Sequence, residues 1–73
     1  MNIRQIVSAN LRQLRKASGL TQQELADKID KSMKSVSDYE VGRTTPSYET
    51  VEAIAKALDI PEAALFAVGD DLL

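Results

Sequence analysis

The chain has 73 residues, of which 44% are hydrophobic and 27% charged, a globular composition with room for one small core and for one domain over residues 1–73. There is no cysteine and no histidine, which excludes disulfide staples, thiolate nucleophiles, histidine bases and the usual zinc ligand sets. The formal net charge of −2 hides an asymmetry: residues 1–46 carry eight basic against five acidic side chains, a net of +3, whereas residues 47–73 carry Lys56 against six acids, a net of −5.

Apolar residues recur at helical spacing almost throughout, so the fold class is all-α. A first helix spans about Asn2 to Ala17, with Ile3, Val7, Leu11 and Leu14 on one face, and Ser18-Gly19 ends it through a left-handed cap. Thr21-Gln22-Gln23-Glu24 is a capping box that opens a second helix near Gln22, with Leu25, Ala26 and Ile29 inward. Asp30-Lys31-Ser32 is a polar turn, and Ser32 caps a third helix from Met33 to about Val41, closed by Gly42. Arg43-Thr44-Thr45-Pro46 reads as a loop. Ser47 caps a fourth helix whose Val51, Ile54, Ala55 and Leu58 form its apolar stripe. Pro61 suits a first helical position, so a short fifth helix is expected from Pro61 to about Ala67, ending before Gly69. The expectation is a five-helix bundle without repeats or linkers. No apolar run approaches the ~18 residues of a spanning helix and the start lacks a signal-peptide core, so a cytoplasmic protein without a membrane partner is expected.

The segment Leu20 to Arg43 carries the functional signal. Two short capped helices joined by a tight polar turn cross steeply, as in a helix-turn-helix, and leave the second one prominent. With about 100° per residue and Val36 set inward, Glu40 and Tyr39 fall on the core side, while Lys34, Ser37, Asp38 and Val41 face outward. Lysine donates to guanine, aspartate accepts from cytosine and serine does either, so this face has base-reading chemistry. Lys34 and Asp38 equally form an i, i+4 opposite-charge pair of the kind that decorates solvated helices, and Met33 suits either contact or half-buried packing. Glu40, turned inward, needs a cation, and Arg15 near the end of the first helix is the candidate.

Five segments together resemble the Xre/Cro family of lambda-repressor-like helix-turn-helix domains. They are Leu11-Arg12-Gln13-Leu14-Arg15, Gly19-Leu20-Thr21-Gln22-Gln23-Glu24-Leu25-Ala26, Ser37-Asp38-Tyr39-Glu40-Val41-Gly42-Arg43, Pro46-Ser47 and Ile54-Ala55-Lys56-Ala57-Leu58. The resemblance runs from about Val7 to Leu65 with every element in order. It implies a third helix that enters the major groove of DNA. By position it implies base contacts from Ser32, Met33, Lys34, Ser37 and Asp38. It also implies phosphate contacts from Gln22, Lys31, Arg43 and Thr44, and an internal ion pair between Arg15 and Glu40. Three positions depart from the family pattern. Asp30 stands where the turn usually has glycine, Val41 replaces a polar residue, and Asp38 adds a negative charge to the reading face.

Phe66, Val68 and Leu72 give the acidic end more apolar surface than a short helix covers. They are candidate contacts to a second copy of the chain, with packing against the first helix or fraying as the other reading. A twofold dimer would read two half-sites of a palindromic operator about one helical turn apart. The function expected is therefore a sequence-specific DNA-binding regulator, a repressor or controller working as a homodimer. The alternative is an antitoxin or adaptor of the same fold that binds a protein through its acidic C-terminal face. No cofactor, metal or catalytic residue is expected, because the acids are spread over helix surfaces and so small a bundle offers little concave volume.

Overall fold

The structure, a computed structural model, describes residues 2–68. Four α-helices and one 3-10 helix follow in chain order: α1 (Ile3–Ala17), α2 (Gln22–Lys28), α3 (Met33–Glu40), α4 (Tyr48–Leu58) and the 3-10 helix Glu62–Phe66. Each α-helix begins at a side-chain cap. Asn2 with Gln5 and Thr21 with Glu24 form reciprocal capping boxes on α1 and α2, while Ser32 and Ser47 accept from the backbone N–H of Ser35 and Thr50. Such caps satisfy N–H groups that have no partner within a helix.

The helix ends share a device as well. Gly19, Asp30, Gly42 and Asp59 all take positive φ, between 56° and 78°, and turn the chain back after each helix. At Gly42 the N–H donates to Tyr39 O and the Arg43 N–H to Asp38 O at 2.9 Å, the paired bonds of a Schellman closure. Asp30 holds the left-handed turn without glycine, with φ 58°. Aspartate tolerates this geometry better than most residues, and the Lys31 N–H closes the turn on Ala26 O at 2.9 Å.

Each element contributes a large fully buried side chain, Leu11, Leu25, Val36, Ile54 and Leu65 in turn, and α2 buries Ala26 as well. Tyr39, Val51, Ile29 and Leu58 complete the cluster, and Leu14, Leu20 and Ile60 pack against its edge. Burying one such aliphatic side chain contributes about 1.5–3 kcal/mol. α2 packs on α3 and α4, and α1 lies across α3 and the 3-10 helix.

Two expectations are corrected. Ile3, read as part of the core stripe, is 55% exposed, because the first turn of α1 extends past the elements that cover Val7 and Leu11. The fifth helix is 3-10 rather than α, and the α-helix count is four. Its Ala64 N–H reaches back three residues to Pro61 O, and a five-residue segment is too short to gain from an i to i+4 ladder. Asn10 of α1 then ends it by donating through Nδ2 to Leu65 O at 3.0 Å and Ala67 O at 2.7 Å. Gly69, the expected terminator, lies outside the described residues. No helix of the described residues is long and apolar enough to cross a membrane.

Candidate nucleic-acid interface

Residues Ile29 to Ser32 join α2 to α3, so the left-handed Asp30 sets the angle between them. The start of α3 is thereby presented to solvent: Lys31, Ser32, Met33 and Lys34 are exposed and Ser37 is half-buried. Ser32 is also the cap of α3, its Oγ accepting from the Ser35 N–H at 3.1 Å. Met33 is 49% exposed, which leaves part of this apolar residue open to contact. The candidates Arg43 and Thr44 are exposed in the loop after α3, and Val41 at its end is exposed too.

Asp38 differs from expectation. It lies on the outward side of α3, yet it is buried, and both of its oxygens are engaged: Lys34 Nζ donates to Oδ2 at 2.9 Å and Arg43 Nη1 to Oδ1 at 2.7 Å. The hydrogen bond from Lys34 is the main reason its carboxyl titrates below the ordinary range. The turn at Gly42 brings Arg43 back over the helix, a fold-back that a helical wheel cannot show.

Arg15 and Glu40 meet inside the domain. Arg15 Nε and Nη2 donate to the two Glu40 oxygens at 2.5 and 3.1 Å, and Arg15 Nη1 donates to Leu20 O at 2.7 Å. The hydrogen bond to Glu40 raises the guanidinium pKa above its ordinary value. Gln22 joins the pair, its Nε2 donating to Glu40 Oε1 at 3.0 Å. The amide nitrogen carries two N–H groups, so one stays free where α2 begins. A strut thus ties α1 to α3 and orients Gln22 in the same contact.

Two basic residues of α1 border this surface, although nothing in the motif singles them out. Arg12 lines a cavity of about 210 Å³ with Arg15, Gln22, Glu40 and Val41. Arg4 Nε donates to Thr45 Oγ1 at 3.2 Å and steadies the loop that carries Arg43 and Thr44. Along α4 and the 3-10 helix, Glu62 foremost, then Glu52, burial and Glu49 push the Tyr48 hydroxyl pKa up, the mark of an acidic cluster. Phe66 and Val68 are 41% and 48% exposed; Leu72 lies outside the described residues.

Comparison with known proteins agrees with this geometry. A family model described as helix-turn-helix matches residues 11–65. The chain belongs to the lambda-repressor-like (Xre) helix-turn-helix family of regulators. An uncharacterized HTH-type transcriptional regulator of Sinorhizobium fredii is 32% identical over 71 residues, 97% of this chain and 92% of that one. The immunity repressor protein of Bacillus phage phi105 is 39% identical over 67 residues, 92% of this chain and 45% of the repressor. The crystal structure of the restriction-modification controller protein C.AhdI from Aeromonas hydrophila has a TM-score of 0.82 at 33% identity, covering 86% of this chain and 96% of that one. This helix-turn-helix chain spans less than half the length of three of the curated relatives it matches.

Proposed function

We propose that the chain is a sequence-specific DNA-binding transcriptional regulator, a repressor or controller, which as a homodimer sets α3 into successive major grooves of a palindromic operator. The observation that carries this reading is the exposed start of α3, where Ser32, Met33, Lys34 and Ser37 stand between the cations Lys31 and Arg43. Lys34 supplies donors for guanine, Ser32 and Ser37 donate or accept, and Met33 offers apolar contact. Lys31, Arg43, Thr44 and the free N–H of Gln22 fit the phosphates on either side, contacts that fix register without reading sequence. The immunity repressor and the controller protein among the relatives support the same class.

Phe66 and Val68, with Leu72 beyond the described residues, are the candidate dimer contacts. A single domain touches few base pairs, and a twofold pair doubles the site. Selection from randomised duplexes at near-physiological salt tests the whole reading. The expected product is an inverted repeat with half-site centres about 10 base pairs apart. A folded sample that enriches no sequence refutes it.

A further inference from the structure

We propose that Asp38 is a positioning residue: it brackets Lys34 and Arg43, so that the base-facing ammonium and the backbone-facing guanidinium are set relative to each other before DNA arrives. This role rests on the DNA-binding reading above. The exposures of the three side chains carry the inference. Asp38 is 12% exposed, whereas Lys34 and Arg43, hydrogen-bonded to its two oxygens, are 77% and 68% exposed. The carboxylate is hidden behind cations that remain presented to solvent.

Each oxygen of this carboxylate already accepts from a cation, which leaves it less acceptor capacity for a cytosine amino group. The cations keep donors in reserve, since lysine carries three N–H groups and arginine five, and each gives one to Asp38. Arg43 is held twice, because its own backbone N–H donates to Asp38 O at 2.9 Å. Long side chains ordered in advance lose less freedom on binding, which is how preorganisation raises affinity and fixes register.

Two substitutions separate this role from base reading. Asp38→Asn keeps the shape and removes the charge. Asp38→Glu keeps the charge and displaces both cations by one methylene. The bracket requires both variants to lose discrimination at the base pair read by Lys34, by about fivefold or more, the range of one good base contact. If Asp38 reads cytosine itself, Asp38→Asn switches one position of the selected site from cytosine to adenine, the base that asparagine reads, and the proposal is overturned. Full discrimination in Asp38→Glu overturns it as well.

A DNA-free measurement on the wild-type chain, the rotation rate of the Arg43 guanidinium by NMR, distinguishes the possible failures and needs no variant to fold. Slowed rotation is the expected result. Slowed rotation with no enriched sequence means that the bracket exists but the DNA reading has failed. Unrestricted rotation with an enriched operator means that DNA binding stands without the bracket. Either combination overturns the proposal.

Discussion

Glu40→Ala is the sharpest test of how α3 is held. The Glu40 carboxylate accepts from Arg15 Nε, Arg15 Nη2 and Gln22 Nε2, and both partners of the ion pair are buried. Truncation leaves the Arg15 guanidinium inside the domain with the Leu20 carbonyl as its remaining partner. Breaking one side of a buried pair costs about 3–5 kcal/mol, because the other charge stays desolvated. Set against a total stability of about 5–15 kcal/mol for a typical domain, this is a large fraction. Each kcal/mol lowers the Tm of so small a domain by about 4–8 °C, so a fall of at least about 12 °C is expected. Urea titration followed by circular dichroism should show a lower midpoint with an unchanged slope. Replacing both partners with apolar residues, Arg15→Met with Glu40→Leu, should recover much of the loss, since it removes both buried charges together. Base preference of Glu40→Ala, measured below its melting point, should match wild type. A Tm within about 2 °C of wild type would refute the strut.

Lys34→Ala should change preference at one base pair of each half-site by about 1–3 kcal/mol; uniformly weaker binding with preference intact would assign Lys34 to phosphate. Arg43→Ala should weaken binding to all duplexes alike and reduce the salt slope by about one unit, and an unchanged slope would remove it from the backbone contacts. Gly42→Ala tests the closure of α3. An added Cβ comes no nearer than 3.6 Å to Ser8 Oγ, so the cost is that of a left-handed alanine, about 1–2 kcal/mol, read as a lower Tm. Stability against pH follows from two carboxyls. Asp38 is lowered chiefly by the Lys34 hydrogen bond, and Glu24 chiefly by the backbone N–H of Thr21. Their folded values lie below the unfolded ones, so their contribution is complete above about pH 4–5 and is lost as pH falls through the lowered values. With no histidine in the chain, denaturation midpoints should be flat from about pH 5 to 8 and decline below pH 4. A step within the neutral range would contradict this.

The sequence displays the parts of this fold that are local. The caps at Thr21, Ser32 and Ser47 and the reversals at Gly19 and Gly42 are one-residue chemistries with fixed offsets, and each stands at its helix end in the structure. The inward turn of Glu40 follows from counting residues around a helix, and a buried carboxylate implies a cation near it. What the sequence hides depends on chain segments returning from a distance. The end of the 3-10 helix Glu62–Phe66 is held by Asn10, 55 residues earlier than the Leu65 carbonyl to which it donates. The cover over Asp38 comes from the turn at Gly42, where a wheel drawn for α3 has already ended. Arg4 and Arg12 carry no motif signal, because a lysine or arginine on the first helix is ordinary until the tertiary fold brings it beside Thr45 or Gln22.

The same distinction explains why an acidic chain presents a surface suited to a polyanion. Four of the five acids in residues 1–46 accept hydrogen bonds from groups of the chain itself. Glu24 caps α2, Asp27 accepts from Gln23 at 2.8 Å, Asp38 binds two cations and Glu40 closes the strut. Lys31 and Lys34 at the start of α3 and Arg43 after its end are exposed beside them. The excess negative charge belongs to residues 47–73, on α4 and the segment after it, where it pushes up the Tyr48 hydroxyl. Salt screens exposed charges more than about 10 Å apart at 0.1 M, so the groups nearest the ligand decide attraction at contact. A net charge summed over the chain merges a basic stretch with an acidic one, and the sequence keeps them apart.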